Sequence, residues 1–379
     1  MRIGMVCYAS LGGSGVVATE LARALAGRGH DVHVISSERP FRWWDNVPGL
    51  TLHEVAVPSY PLFREPQYVL ALATAIARVA EDHRLDIVHA HYAVPHATAA
   101  YLADQMLASA QGAQAPSTVT TLHGTDITLV GSDPSYARVV AFSIEQSRVV
   151  TAVSRSLRAD TIASLGVRHA IDVIPNFLDC AEYQRVVDPT LRRELCTPGT
   201  AGVLMHASNF RPVKRVGAVL DVFRKVRSEI PARLVLIGDG PDRAMVETRA
   251  REYGLSEHVV FAGEQQDPVR WLSSADLFLL PSAQESFGLA ALEAMACEVP
   301  VIASNAGGLP EIIANGINGY VCPPDALDEM AAHAAHLLRD ETLRREMGRR
   351  AATIVRDKYC AERIVPLYEQ AYASAIGSA

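Results

Sequence analysis

Residues 277–303 read LFLLPSAQESFGLAALEAMACEVPVIA, and they contain a strand, a turn, a helix and a second strand. The apolar runs Leu277–Leu280 and Val299–Ala303 predict two buried strands, and the small apolar residues of Phe287–Ala296 predict a helix between them. A strand, a helix and a strand in this order are typical of a parallel sheet. This stretch therefore predicts an α/β fold.

The same alternation of strands and helices continues on both sides of this stretch along the 379-residue chain. Further strands are predicted at Ile3–Cys7, Val32–Ser36, Ile87–Ala90, Thr118–Leu122, Val149–Val153, Gly202–Ala207, Arg233–Ile237 and His258–Ala262. Two such series, one in each half of the chain, predict two doubly wound, Rossmann-like domains.

Proline, charged and turn residues separate the two series at residues 175–200, and we expect this segment to be the linker. A first domain is then expected at residues 1–174 and a second at residues 201–355. Residues 356–379 are expected to form a helix that returns to the first domain. Substrate is expected in the cleft that the linker spans.

The composition excludes some classes of protein. The net charge is −7, so the chain offers no general basic field for nucleic acid. Apolar runs are too short for a signal peptide or a membrane span, and we expect a soluble, cytoplasmic protein without stable membrane association. Six cysteines form no CxxC pair, which predicts reduced, mostly buried thiols. The sequence leaves open whether the protein is a homo-oligomer.

A glycine-rich loop, Gly12–Gly15, follows the first predicted strand. The Gly-x-Gly-x-x-Ala pattern of Gly13–Ala18, with Glu38 further on, fits a dinucleotide-binding fingerprint and hence a nicotinamide-dependent oxidoreductase. A tight turn with Ser14 as the helix N-cap explains the same residues. In a third interpretation, the N–H groups of Ser14–Val16 bind a carboxylate or a phosphate.

Two acids lie within residues 277–303. Glu285 precedes the predicted helix and Glu293 lies about two turns inside it, so their carboxylates are about 10 Å apart along the axis. Ser286 is the predicted N-cap, and the helix N–H groups of Phe287–Leu289 can bind a diphosphate that Gly288 lets approach. Since carboxylates accept hydrogen bonds from sugar hydroxyls, the motif predicts a nucleotide-sugar site. The alternative is a surface helix with two solvated acids.

These motifs resemble those of the retaining GT-B glycosyltransferases of family 4. Glu285–Leu289 with Glu293 looks like the family's E-x7-E motif, and Gly307–Glu311 looks like its GG-x-PE segment. The resemblance covers nearly the whole chain. It implies a GT-B fold, in which two Rossmann-like domains face each other across a cleft and a C-terminal helix crosses back.

Four shorter segments resemble one branch of this family more narrowly. They are Gly12–Leu21, His91–His96, Thr121–Asp126 and Ser208–Arg215. Enzymes of this branch transfer N-acetylglucosamine from UDP-N-acetylglucosamine to L-malate, at the first step of bacillithiol biosynthesis. The resemblance implies these two partners for the present chain.

Site residues follow from the resemblance position by position. It implies that Glu285 and His123 contact the transferred sugar, that Glu293 binds the ribose, and that Lys214 binds the diphosphate. Many members have an arginine where this chain has Asn209, and Arg211 is the substitute candidate for a second phosphate-binding cation. Further donor-binding candidates are Gly15, Asn209, Ser286, Phe287, Gly288 and Leu289, and the acceptor-binding candidates are Gly13, Ser14, Tyr92 and Thr121.

The sequence predicts a reaction without a metal ion or another cofactor. His89, His91 and His96 lie close in sequence, but no carboxylate cluster accompanies them. The chain contains no Asp-x-Asp pair, the usual metal ligand of other glycosyltransferases. The leaving UDP would then be stabilised by Lys214 and a helix N-terminus.

Retention at the anomeric carbon allows two routes. Double displacement needs a carboxylate nucleophile, and no residue can be assigned to that role. Front-face substitution, in which the leaving phosphate helps to deprotonate the acceptor, is the route that the family implies. A silent nucleotide-sugar sensor remains an alternative. A lipid glycosyltransferase is another, because the aromatic and basic residues of Arg39–Trp44 fit a membrane surface.

Overall fold

The computed structural model describes residues 1–9, 13–58, 65, 67–109, 115–196 and 199–377. The chain divides into two compact units, Met1–Phe177 with Ala361–Ala379, and Leu178–Cys360. Each unit contains one parallel sheet with helices packed on it, so the predicted α/β class is confirmed.

The first unit has a seven-stranded sheet in the order β3-β2-β1-β4-β5-β6-β7, and all of its strand pairs are parallel. Its strands are β1 Arg2–Val6, β2 Asp31–Ser36, β3 Leu50–Glu54, β4 Ile87–His91, β5 Ser117–Leu122, β6 Val149–Ala152 and β7 Ile171–Val173. The five strands predicted in this half are confirmed. Strands β3 and β7 were not predicted; both lie at the edges of the sheet, β3 is only partly buried, and β7 has only three residues.

Helices cover both faces of this sheet. They are α1 Gly13–Gly27, α2 Tyr68–His83, α3 Thr98–Ser109, α4 Pro134–Gln146, α5 Arg155–Leu165 and the C-terminal α14 Ala361–Gly377. One apolar cluster joins the sheet to α1 and α14, with Leu21 and Tyr368 fully buried in it. Another cluster joins the opposite face to α2 and α3, through residues such as Ile35 and Ile76.

The second unit has a six-stranded sheet in the order β10-β9-β8-β11-β12-β13, again parallel. Its strands are β8 Gly202–Ala207, β9 Ala232–Ile237, β10 Val259–Gly263, β11 Leu277–Leu280, β12 Val301–Ser304 and β13 Gly319–Cys322. Its helices are α6 Pro189–Leu195, α7 Val216–Glu229, α8 Arg243–Glu252, α9 Pro268–Leu272, α10 Leu289–Ala296, α11 Leu309–Ile312, α12 Leu327–Arg339 and α13 Glu341–Lys358. The predicted strands of this half are confirmed, whereas the edge strand β13 was not predicted.

The two C-terminal helices belong to different units. Helix α13 ends in the second unit, and α14 packs against α1 and β5 of the first. Leu178 forms an isolated parallel bridge with Cys360, where the chain leaves one unit and returns to it. Residues 178–196, which were expected in the linker, are part of the second unit and contain α6.

The cysteines differ from the prediction in one respect. Cys180 and Cys360 form a disulfide bond, so the expectation of reduced thiols is wrong for this pair. They lie 180 positions apart in sequence, and the bridge at Leu178 brings them together. Sequence spacing alone could not reveal this pairing. Cys7, Cys297 and Cys322 are buried free thiols, as predicted.

Candidate active site

In the second unit, the loop after β8 carries the candidate diphosphate-binding residues. His206, near the end of β8, is fully buried, and its Nδ1 lies 2.8 Å from the carbonyl oxygen of Leu279 in β11. Nδ1 must therefore carry the proton, and the hydroxyl of Ser208 donates to Nε2 at 2.8 Å. Ser208 Oγ in turn accepts the N–H of Phe210. This chain of hydrogen bonds fixes the loop relative to the sheet.

His206 is uncharged at neutral pH. Burial, with a smaller contribution from the nearby charge of Lys214, lowers its pKa to about 4. His206 was not predicted from the sequence. The signal that could have indicated it is a histidine at the end of an apolar strand, with a serine two positions later.

Two glycines after β9 lie against the same loop, and they were also not predicted. A Cβ atom on Gly238 would lie 1.9 Å from the carbonyl oxygen of Ser208, and one on Gly240 would lie 2.0 Å from that of Asn209. Both glycines have positive φ angles, so the close approach requires glycine on two grounds. Within the described part of the chain, the buried Oδ1 of Asn209 has no hydrogen-bond partner. Arg211, the other donor candidate of this loop, is exposed.

Lys214 and Glu285 are brought together, as expected for residues of one site. Lys214 Nζ lies 2.7 Å from Glu285 Oε2, and the two side chains are 22% and 12% exposed. A backbone hydrogen bond from Ala283 to Val213 joins the two loops that carry them. The pair is therefore half-buried, and a ligand can reach it from solvent.

The backbone of Glu285 is held by the segment that resembles GG-x-PE. The N–H of Gly308 donates to the carbonyl oxygen of Glu285 at 2.8 Å. A Cβ atom on Gly307 would lie 2.0 Å from that same oxygen, and Gly307 has a φ of 54°. The two glycines therefore position Glu285 by close backbone packing.

Helix α10 begins later than predicted. Its first residue is Leu289 and its N-cap is Gly288, with a φ of 99°, so Ser286 is not the N-cap. A Cβ atom on Gly288 would lie 2.6 Å from Leu309, and only glycine adopts this conformation in this space. Phe287 is buried before the helix, against the ring of Tyr359. The N–H groups of the first turn belong to residues 289–291 and not to 287–289.

Glu293 lies inside α10 and is partly buried. Its Oε1 accepts a hydrogen bond of 2.9 Å from the hydroxyl of Tyr183, whose side chain is buried. The interpretation of Glu293 as a freely solvated surface acid is therefore wrong. Tyr183 lies 110 positions away in sequence, and no local pattern indicated it.

In the first unit, Ser14 and Tyr92 contact each other. The Tyr92 hydroxyl donates to Ser14 Oγ at 2.7 Å, and Tyr92 has an unusual φ of 92° directly after β4. Ser14 is the second residue of α1 and not its N-cap. Gly13 is exposed at the start of the helix and Gly15 is buried. Gly12 lies outside the described residues.

Thr121 is fully buried, and its hydroxyl lies on the sheet face against which α14 packs. Its Oγ1 lies 2.7 Å from His89 Nε2 and 2.7 Å from Thr151 Oγ1. A contact between this hydroxyl and an acceptor, expected from the sequence, is therefore not supported. Thr121 instead contributes its carbonyl oxygen, which accepts the N–H of Tyr92 at 2.9 Å.

His123 follows β5 and belongs to a group of neutral histidines. Its Nε2 lies 2.9 Å from His91 Nδ1, and its ring is 5.2 Å from the ring of Tyr92. Burial lowers the pKa of His123 to about 3 and the pKa of His91 well below 6.5. His123 can thus give or accept a hydrogen bond, but it does not supply a positive charge at neutral pH.

Asp126 was not assigned a role from the sequence, although it lies in a quoted motif. Its buried carboxylate accepts the N–H groups of Ala93 at 3.0 Å and Gly124 at 2.9 Å. Burial raises its pKa to about 6, against the effect of these hydrogen bonds. Asp126 therefore ties the loop of Tyr92 to the loop of His123.

The three histidines considered as metal ligands face different partners. His89 lies between Thr121 and the hydroxyl of Tyr372, and His91 contacts His123 and the sulfur of Met5. The Nδ1 of His96 bonds to the carbonyl oxygen of His91. Their nitrogens do not converge on one point.

The aromatic stretch that favoured a membrane surface is packed on the first unit. The guanidinium of Arg23 stacks 4.2 Å from the centre of the Trp44 ring, and Trp43 packs against the apolar cluster under α1. Phe41 remains 38% exposed. No helix in the described ranges is long and apolar enough to cross a membrane. Both tryptophan rings therefore contact side chains of the first unit.

Comparisons with known proteins agree on one family. The model of Glycosyltransferase Family 4 matches residues 11–182, and that of Glycosyl transferases group 1 matches residues 187–353. The chain is 45% identical to N-acetyl-alpha-D-glucosaminyl L-malate synthase of Bacillus anthracis, over 98% of this chain and 96% of the relative. These matches set aside the nicotinamide-dependent oxidoreductase.

Solved structures give the same fold. Sucrose-phosphate synthase from Thermosynechococcus elongatus superimposes with a TM-score of 0.83 at 20% identity, and all of both chains is covered. Alr3699/HepE of Anabaena, solved in complex with UDP-glucose, superimposes with a TM-score of 0.79 at 21% identity over 100% of both chains. The chain belongs to the family 4 glycosyltransferases and has the GT-B fold.

Proposed function

We propose that this protein is a retaining glycosyltransferase that moves N-acetylglucosamine from UDP-N-acetylglucosamine to the hydroxyl of L-malate. The product is N-acetylglucosaminyl-α-malate, at the first step of bacillithiol biosynthesis. The observation that carries the proposal is the 45% identity, over 98% of the chain, to the Bacillus anthracis relative of that name. The site geometry supports it on both the donor and the acceptor side.

On the donor side, the proposal assigns the diphosphate to Lys214 and the first turn of α10. A diphosphate offers Lys214 two negative charges in place of the single carboxylate of Glu285, 2.7 Å away. Glu285 can then accept hydrogen bonds from the sugar hydroxyls. The binding of UDP-glucose by HepE supports a UDP donor for this fold.

The proposal assigns the ribose to Glu293. Its Oε1 accepts a hydrogen bond from the hydroxyl of Tyr183, which orients the carboxylate, and carboxylate oxygens are acceptors suited to ribose hydroxyls. Asn209, whose Oδ1 is buried without a partner among the described residues, and the exposed Arg211 are the additional donor contacts. Arg211 is the proposed second cation for the diphosphate.

On the acceptor side, the proposal assigns a malate carboxylate to the start of α1. Ser14 Oγ accepts a hydrogen bond of 2.7 Å from the Tyr92 hydroxyl, so the Ser14 hydroxyl can donate its own hydrogen bond to a carboxylate. The N–H groups at Gly13–Gly15 and the positive end of the helix favour the same negative charge. A compact hydroxy dicarboxylate fits these donors better than a neutral sugar does.

For the reaction itself we propose front-face substitution. The bond from the anomeric carbon to the phosphate oxygen breaks, and the malate oxygen attacks from the same face. The departing phosphate takes the malate proton. Lys214 stabilises the charge on the leaving UDP, and neutral His123 positions the sugar through a hydrogen bond. The proposal involves no metal ion or other cofactor.

Product analysis tests the linkage. The purified protein, UDP-N-acetylglucosamine and L-malate are incubated together, and the product is examined by proton NMR. We expect a single glycoside whose anomeric coupling constant is that of an α-linkage. A β-linked product would refute retention, and free N-acetylglucosamine alone would refute malate as the acceptor. Succinate, which lacks the hydroxyl, is the matched control and should give no glycoside.

A further inference from the structure

Three histidines converge in the first unit, away from the residues assigned above. A nitrogen from each of His33, His53 and His83 lies within 4.8 Å of the other two. His33 Nδ1 is 2.9 Å from His53 Nε2, and the ring centres of His33 and His83 are 4.0 Å apart. The three described side chains contact one another and not Ser14, Tyr92 or His123.

The fold brings these histidines together from three elements. Ile35 of β2 is the register partner of His53 in β3, and His33 lies two positions before Ile35. Because side chains alternate along a strand, His33, Ile35 and His53 share one face of the sheet. Ile35 on that face packs under α2, and His83 is the last residue of α2. The sheet face and the helix end therefore enclose the three rings.

One nitrogen of this cluster has no hydrogen-bond partner among the described residues. His33 is 2% exposed, and its Nε2 makes no hydrogen bond to any described residue. The nearest carboxylate oxygen, Asp31 Oδ2, lies 3.4 Å away and without hydrogen-bond geometry. A buried polar nitrogen without a partner costs free energy. A ligand that uses it would remove that cost.

The ligand chemistry and the nearby charges also bear on metal binding. Metal ions bind neutral imidazole. Asp31 and Asp82 supply negative charge nearby, whereas Arg78 opposes a cation.

We propose that His33, His53 and His83 bind one divalent zinc ion. Imidazole nitrogen is a preferred zinc ligand, at about 2.0–2.1 Å. The nitrogens that bind a tetrahedral zinc ion are roughly 3.3 Å apart. Side-chain rotations that move the ring nitrogens by about an ångström would bring the three histidines to this spacing. Water or Asp31 takes the fourth position. The ion joins β2, β3 and the end of α2, and its effect is on stability.

Zinc titration of the whole protein tests this site. Tag-free protein is freed of metal with EDTA and titrated with zinc chloride by calorimetry, and its melting temperature is measured with and without zinc. We expect one zinc per chain and a melting temperature that rises with zinc concentration. Cobalt(II) in place of zinc should give the visible absorption bands of a tetrahedral site.

Substitutions locate the ion. His53→Ala should weaken zinc binding by a factor on the order of 100 and abolish the thermal shift. His336→Ala, which removes an exposed histidine of the second unit, should change neither. If His53→Ala does not fold, His83→Ala, at the end of its helix, serves in its place. Equal zinc affinity in the wild type and the cluster variant, or no binding by the wild type, overturns the proposal. The result does not depend on the sugar donor or acceptor.

Discussion

The two units present their candidate ligand-binding groups in different chemical forms. In the second unit the groups are charged and half-buried, as in the pair of Lys214 and Glu285. In the first unit they are neutral and hydrogen-bonded to one another, as in His91 with His123 and Tyr92 with Ser14. A leaving diphosphate needs a full positive charge, whereas a small acceptor needs donors held in fixed directions. The difference matches the proposed division between donor and acceptor.

Removal of the donor-side charge should have the largest effect. We expect Lys214→Ala to lower kcat by a factor on the order of 1,000, because the leaving diphosphate loses its cation. The melting temperature should change little, since partly exposed ion pairs contribute little to stability. Lys225→Ala, which removes the lysine paired with Asp328 on the surface, is the control. Near-normal turnover of Lys214→Ala would remove Lys214 from the site.

A charge placed in the neutral acceptor region should have the next largest effect. Ser14→Asp puts a carboxylate where a malate carboxylate is proposed to bind. We expect the KM for L-malate to rise by a factor on the order of 100 while the KM for the donor changes much less. Ser14→Ala, which removes the hydroxyl without adding charge, should raise it less. Equal increases in both KM values would contradict the acceptor assignment.

The support of Glu293 by Tyr183 gives a smaller effect. Tyr183→Phe removes one hydrogen bond to the carboxylate and keeps the buried ring. We expect the KM for the UDP-sugar to rise by a factor of about 10, because one hydrogen bond to a charged group contributes about 1.5–3 kcal/mol at most. The KM for L-malate should stay constant. A change confined to the malate KM would show that Glu293 does not bind the donor.

Acid should destabilise the first unit before the second, because the first unit contains more buried histidines with lowered pKa values. Burial lowers histidine pKa values from 6.5 to about 4 at His53, about 3 at His89, about 4 at His96 and about 3 at His123 in the first unit, and to about 4 at His206 in the second. A lowered histidine pKa stabilises the fold fully above pH 6.5, and this stability is lost as the pH falls through the folded value.

Asp126 acts in the opposite direction, because its raised pKa adds stability that is present below pH 3.8 and lost as the pH rises through about 6. Burial also raises the pKa of Asp104 in the first unit, and these two carboxyl groups are outnumbered by its histidines. We therefore expect hydrogen exchange in metal-free protein at about pH 4.5 to increase first in β4 and β5. Earlier loss of protection in β8 and β11 would contradict this order.

Chelation should have the smallest effect on the reaction. Since Lys214 and helix N–H groups are proposed to stabilise the leaving UDP, activity after exhaustive EDTA treatment should stay within about a factor of two. The assay is run well below the melting temperature, so that loss of zinc from the histidine cluster does not unfold the protein. Loss of activity that magnesium or manganese restores would show that the reaction needs a metal.

The sequence could predict features that depend on local patterns, but not those that depend on distant contacts. Apolar runs predicted the strands, local spacing indicated Glu285 and Glu293, and the family resemblance indicated Lys214; the roles of these three residues stay predictions. Tyr183 and the disulfide between Cys180 and Cys360 depend on contacts between distant positions, which local patterns do not contain.

Local chemistry was also misleading where tertiary contacts decide. Ser286 is a good N-cap residue, but Leu309 packs against Gly288 and the helix starts after that glycine. The Thr121 hydroxyl is within hydrogen-bond distance of His89 and Thr151 on the buried face of the sheet. Buried polar partners of this kind set the direction of a side chain, and sequence alone does not show them.

The rate of UDP release in the presence of L-malate tests the central claim most directly. Purified protein is given UDP-N-acetylglucosamine with L-malate, with succinate or with buffer alone, and the initial rates are compared. The proposed function predicts rapid release with L-malate and only slow hydrolysis with succinate or buffer. A rate with L-malate no faster than the rate in buffer would contradict the account.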